Sequence, residues 1–225
     1  MSSTDGEIAI KNLRLSARYQ HVLFPLDILQ FAAALSRKGF ALNEPPPPPS
    51  PSSIDRLGYA GPLAMKDGAM VDVNGQREFV GVSCQNLEKL LKTFDEVMVV
   101  LEDDKSMGGP LHRWFCEFQG RFEYRPRGED PMDMLRNAGE RASFVKNCGD
   151  ALGKKCTLRD IRVVKSGTSP DSSSYFEVMI EPTFGRPHSS FEAIMIFRDE
   201  KLDLVKEFAQ ESDGSLRSIM NALHQ

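Results

Sequence analysis

Two long alternating segments with the same arginine spacing constrain this chain more than any other feature. Arg14-Leu15-Ser16-Ala17-Arg18 is echoed by Arg121-Phe122-Glu123-Tyr124-Arg125, and Pro25-Leu26-Asp27-Ile28-Leu29 by Pro131-Met132-Asp133-Met134-Leu135. A third echo joins Phe79 and Glu88-Lys89-Leu90 to Phe191 and Glu200-Lys201-Leu202. Short matches in one order at nearly constant offset imply two structural units of about half the chain each, related by duplication. The expected division is 1–102 for the first unit, 103–110 for a connector and 111–225 for the second, packed as one compact domain.

In the first unit, Leu13, Leu15, Ala17 and Tyr19 alternate with Arg14, Ser16, Arg18 and Gln20, the period of a strand with one apolar face. Pro25 and Asp27 open an amphipathic helix in which Ile28, Phe31, Ala32 and Leu35 recur as far as Gly39. Residues 44–53 contain consecutive prolines, which donate no backbone hydrogen bond and cannot continue a helix, so an exposed loop inserted in this unit is expected. A proline-recognising partner is the lesser expectation, because no basic residue flanks the run. Segments 59–65, 69–73 and 77–83 read as strands, with turns at Asp67-Gly68 and Asn74-Gly75. Leu87, Leu90, Leu91, Phe94 and Met98 then mark a helix.

The second unit repeats this order. Trp114, Cys116, Phe118, Phe122 and Tyr124 alternate with Arg113, Glu117, Gln119, Arg121 and Glu123, and Gly120 is expected at a bend or bulge. Asp130 ahead of Pro131 caps a helix bearing Met134, Leu135, Ala138, Phe144 and Val145. Segments 158–165, 175–180 and 191–197 read as strands. Asp199 opens a last helix in which Leu202, Val205, Phe208, Ala209, Leu216, Ile219, Met220 and Leu223 hold one phase, with Gly214 placed to kink or split it.

Each unit is therefore strand, helix, three strands, helix. A mainly antiparallel sheet with helices on one face buries these stripes, which makes the class α+β with two β-α-β-β-β-α pseudo-repeats. In element order alone this resembles the duplicated, saddle-shaped fold of the TATA-binding protein. No sequence motif accompanies the resemblance, so it implies a shape and not an activity.

Most site chemistries find no support. The longest apolar runs, such as 97–101, fall far short of the roughly 20 residues a membrane span needs, and the opening residues carry no basic-then-apolar signal. A cytoplasmic protein with no membrane association is expected. Cys84, Cys116, Cys148 and Cys156 are widely spaced, with no C-x-x-C pair and no clustered histidine. Buried reduced thiols are expected rather than a zinc site or a disulfide, and no metal or cofactor is indicated. The run from Gly149 to Thr157 superficially resembles a phosphate-binding loop, but its glycines are too close together and no Ser or Thr directly follows its lysines. A helix C-cap is the better account. His21, His112, His188 and His224 have no acid or nucleophile at diagnostic spacing. Glu177 and Glu181 would share a strand face, more simply as solvated acids than as a catalytic pair, and Glu102-Asp103-Asp104 reads as a soluble turn.

The doubled arginines remain. If Leu15, Ala17, Phe122 and Tyr124 face the helices, alternation puts Arg14, Arg18, Arg121 and Arg125 on the opposite face, joined by Arg113 and Glu117 unless Gly120 shifts the register. Guanidinium groups suit carboxylate, phosphate or nucleic-acid backbones, or else they pair with Glu117, Glu123, Glu177 or Glu192 across strands. The preferred reading is a non-enzymatic binding or interaction protein that uses this face toward a protein partner or a second copy. A nucleic-acid module on the same face is the alternative, opposed by the formal net charge of −4. An enzyme whose site is not visible in sequence is the third class.

Overall fold

The computed structural model describes residues 6–19, 27–43, 60–75, 78–103 and 113–224. The proline-rich segment 44–53, residues 104–110 of the connector, His21 and His112 lie outside them.

The two arginine-bearing segments are the two longest strands, β1 (Glu7–Tyr19) and β6 (Arg113–Arg125), and they pair antiparallel with each other. Beyond β1 lie β5 (Phe79–Cys84), β4 (Ala69–Asn74), β3 (Ala60–Lys66) and the short β2 (Ala41–Leu42). Beyond β6 lie β9 (Phe191–Asp199), β8 (Tyr175–Pro182) and β7 (Ile161–Val164). The nine strands form one sheet in the order β2-β3-β4-β5-β1-β6-β9-β8-β7, antiparallel at every pairing. Five helices complete the fold: α1 (Ile28–Arg37), α2 (Leu87–Asp103), α3 (Pro131–Arg141), α4 (Ser143–Leu152) and α5 (Leu202–His224). The class is α+β, as the alternation required.

One face of this sheet is apolar because strand alternation sends Leu13, Leu15, Ala17 and Tyr19 of β1 the same way as Cys116, Phe118, Phe122 and Tyr124 of β6. These residues are buried against Phe31 and Leu35 of α1, Leu90, Phe94 and Val97 of α2, and Val205, Ala209 and Leu216 of α5. Both halves thus share one core. Phe208 of α5 stacks on Phe197, with centroids 4.6 Å apart, and meets Phe118 and Phe176 edge-on. Such aromatic pairs add about 0.5–1.5 kcal/mol each beyond their buried area.

Several expectations are corrected in detail. Gly120 makes no bulge, since its pairing runs unbroken to Leu13 on one side and Met195 on the other. Its role is spatial: a Cβ there would lie 2.4 Å from the Phe122 ring and 3.1 Å from Phe118, so the missing side chain lets two core aromatics close over the strand. The register shifts in the central pair fall at Lys11 and at Trp114 instead. The helix expected to run from Asp130 through Val145 breaks at Ala142, whose backbone is extended (ψ 108°), and the following α4 buries Val145 while leaving Phe144 exposed. Asp130 does cap α3, accepting from the Met132 N–H at 2.8 Å.

Gly214 does not split α5, which continues through it. The 158–165 strand contracts to Ile161–Val164. Asp67 and Gly68 form the expected two-residue turn, with φ of 52° and 84°. Asn74 instead pairs with Phe79, so four residues rather than Asn74-Gly75 connect β4 to β5. No described helix is long and apolar enough to cross a membrane.

Candidate binding site on the open face of the sheet

The face opposite the helices carries all four arginines singled out in sequence. On β1 they follow from alternation: Leu13, Leu15 and Ala17 point to the core, so Arg14 and Arg18 point away. On β6, Arg121 and Arg125 alternate with buried Phe122 and Tyr124 in the same way. Three of the four are engaged by acids, Arg14 and Arg121 by acids of other strands and Arg125 chiefly by Glu123 of its own strand. Arg14 bonds Asp72 at 2.5 Å, Arg121 bonds Glu192 at 2.9 Å, and Arg125 bonds Glu123 at 2.8 Å with Glu7 at 3.9 Å. Arg18 has no ion pair or hydrogen bond from its side chain among the described residues.

Arg18 is held instead by rings. A β-bulge at the start of β6 pairs Arg18 with Phe115 and Tyr19 with Arg113, leaving Trp114 as the extra residue. The bulge turns Trp114, expected on the core face, toward the open face, where the Arg18 guanidinium lies 5.2 Å from its ring centroid and 5.9 Å from that of Phe115. It also overturns the expected placing of Arg113, which follows Tyr19 to the helix side and bonds Glu102 of α2 at 3.1 Å. Glu117 does share the arginine face.

The same motif of a guanidinium on a ring recurs twice on this face. Arg14 lies 4.7 Å from the Phe79 ring, flat across Gly81, where a Cβ would fall 2.8 Å from its Nη2. Arg198 of β9, not anticipated from sequence, lies 4.4 Å from Phe115 and 5.6 Å from Tyr175. It bonds Glu117 through its Nε at 2.9 Å and donates to the carbonyls of Pro170 and Ser172 at 2.6 and 3.0 Å. Cations and rings therefore alternate across five strands, from Phe79 through Arg14 and Arg18, Trp114 and Phe115, and Arg198 to Tyr175.

Further from Trp114 the face is an ion-pair network. Glu123 is almost wholly buried among Lys11, Arg125 and Arg186, at 2.5, 2.8 and 3.4 Å. The hydrogen bond from Lys11, helped by Arg125, outweighs desolvation and holds the Glu123 carboxyl down at about 2. Glu177 accepts from the Tyr175 hydroxyl at 2.5 Å and pairs with Arg162 at 2.6 Å. Burial alone would raise the Glu177 carboxyl, but these two partners together lower it. It is thus an ion-paired structural acid rather than half of a carboxylate pair with Glu181. Asp72 behaves oppositely, since burial outweighs the attraction of Arg14 and raises its carboxyl.

The other sequence candidates resolve simply. The Gly149–Thr157 segment ends α4 with Gly153 in the left-handed conformation, and the Gly153 and Lys154 amides return to Asp150 and Gly149 at 3.4 and 3.1 Å. Those amides close the helix rather than face the adjoining groove of about 560 Å³. His188 Nδ1 lies 2.7 Å from Asp130, and His224 stands at the end of α5. Of the four free cysteines, Cys84 and Cys116 are buried as expected. Cys148 is exposed and Cys156 half-exposed, because α4 and the segment after it cover little of the core. Burial pushes the Cys116 thiol up to about 12. Among the described residues, no three His, Cys, Asp or Glu side chains gather as a metal site.

No family model matches this chain, and no curated protein matches it in sequence.

Proposed function

We propose that this chain is a non-enzymatic binding protein of the cytoplasm that docks a protein partner on the open face of its sheet, around Arg18 and Trp114. The observation that carries this reading is the isolation of Arg18. Lys11, Arg14, Arg121, Arg125, Arg162 and Arg198 on the same face each have an acid, and among the described residues Arg18 has aromatic rings in place of one. Arginine beside tryptophan and tyrosine is the side-chain mixture that dominates binding energy at protein interfaces. The interleaved acids weigh against nucleic acid, whose phosphates need a basic surface. Free cysteines fit a reducing compartment.

Descent by duplication belongs to the same proposal. It is supported by the strand order, in which β3-β4-β5-β1 is mirrored by β6-β9-β8-β7, and by Leu13 and Gly120, which face each other and take Cys84 and Met195 as their outer partners. Two equivalent halves would explain a second wide strand of arginines on one face.

The test is recovery of bound protein when the full chain is purified from its native cells, for the native sequence and for the Arg18→Ala/Trp114→Ala variant. Retention by the native chain through nuclease treatment, with loss in the folded double variant, is expected. Equal retention by both, or release of the bound material by nuclease, would refute the reading.

A further inference from the structure

We infer that Arg18 is the receptor for one carboxylate, an aspartate or glutamate side chain presented by the docking protein, with Trp114, Phe115 and Phe79 as its apolar surround. The inference rests on the docking reading above and names what that face recognises.

The face itself supplies the pattern. Arg14 lies against Phe79 and takes the Asp72 carboxylate. Arg198 lies against Phe115 and Tyr175 and takes the Glu117 carboxylate. Arg18 lies against Trp114 and Phe115 in the same manner, and among the described residues no acid completes it. Its opposite neighbours along the ladder are Phe79 on β5 and Phe115 on β6, so no charged side chain of the described strands stands directly across from it.

The chemistry of the guanidinium narrows the ligand. Nε of Arg18 is buried without a hydrogen-bond partner, and the Trp114 and Phe115 rings lie against the guanidinium, so the terminal amino groups are the donors left to bind. A fork of N–H groups fits a carboxylate in two parallel bonds, and a weakly hydrated guanidinium on an aromatic shelf forms them with little reorganisation. The charge count favours a monoanion. Among the described residues one positive charge is uncompensated here, because Glu117, two residues along β6 on the same face, is matched by Arg198, so a monoanion completes a balance that a doubly charged phosphate would overshoot. A partner acid set beside an apolar side chain satisfies both the fork and the rings.

Trp114 is the only tryptophan of the chain, so its emission reports this site directly. The full chain would be titrated to millimolar concentration with a short peptide, acetylated at its N-terminus and amidated at its C-terminus, carrying one Glu between leucines, with the same capped peptide carrying Gln, and with inorganic phosphate. A saturable change in Trp114 emission with the Glu peptide is expected, weakened roughly tenfold or more by the Gln peptide and by Arg18→Gln, as for loss of a charge-assisted bond. Arg18→Lys, which keeps the charge but not the fork, should fall between. Circular dichroism of each variant separates lost binding from lost folding, and Arg136→Gln on α3, exposed, paired with Asp133 and away from this face, serves as a folded control that leaves the titration unchanged. No saturation with the Glu peptide, equal response to the Gln peptide, or tighter response to phosphate would overturn the inference. If the peptide fails while Arg18→Ala/Trp114→Ala still releases a bound protein, the carboxylate is wrong and the docking face stands. If the peptide binds and the bound protein is indifferent to that variant, the docking reading falls and the carboxylate site remains.

Discussion

Glu123→Gln removes the charge of the most buried acid among the described residues, at the centre of an ion-pair cluster, while keeping the shape of the side chain. The Glu123 side chain is 3% exposed and contacts Lys11, Arg125 and Arg186, which are 49%, 47% and 54% exposed. Holding a carboxyl at about 2 rather than 4.5 corresponds to about 3 kcal/mol of stability at neutral pH as an upper bound. Half-exposed partners are screened by solvent, so about 1–2 kcal/mol is expected. The sign follows from the direction. A carboxyl held lower in the folded chain contributes its full stability above about 4.5, and loses it as pH falls from there toward about 2. Urea denaturation of the native chain and of Glu123→Gln from pH 7 to pH 2 should therefore show a gap of about 1–2 kcal/mol at pH 7 that closes at the acid end. A gap constant across this range, or none at pH 7, would refute the electrostatic account of the cluster.

Gly120→Ala places a methyl group against two core aromatics and should cost about 1–3 kcal/mol of unfolding free energy; an unchanged denaturation midpoint would mean that the rings can move aside. Arg18→Ala should lower stability by no more than about 1 kcal/mol, the scale of a partly exposed cation–ring contact, and a larger loss by thermal melting would mark Arg18 as a structural residue. Asp27→Ala deletes the side chain that accepts from the Leu29 and Gln30 amides at 3.0 and 3.2 Å, and should destabilise by about 1 kcal/mol in the same assay. Alkylation of the native chain followed by mass spectrometry should label Cys148 and Cys156 well before Cys84 and Cys116; early labelling of Cys116 would contradict its burial.

What the sequence disclosed was what periodicity carries. Alternation around Leu13–Tyr19 and Phe118–Tyr124 placed the arginines on the face away from the helices, and the spacing of Leu90, Phe94, Val205 and Ala209 placed the helices on the other. The errors sit where periodicity is interrupted. The bulge at Trp114 reverses the faces of Trp114 and Arg113, because one extra residue in a strand moves every side chain before it to the other side. In the sequence Gly120 is only a glycine within a strand, whereas its purpose depends on Phe118 and Phe122 meeting across it, a matter of ring volume. Arg198 was not distinguishable from other charged residues until the sheet order brought it beside Glu117 and Phe115, far away in the chain. The isolation of Arg18 is a fact of pairing in space, and nothing in the R-x-x-x-R spacing separates it from Arg14.

Hydroxyl-radical footprinting of the chain, alone and with its bound protein, tests the central claim most directly, because Trp114 on the open face is compared with Phe144 on α4 and Phe184 in the β8–β9 loop. Docking around Arg18 predicts that Trp114 and Phe79 lose their labelling in the complex while Phe144 and Phe184 keep theirs. Undiminished labelling of Trp114, with protection at Phe144 or Phe184 instead, would contradict it.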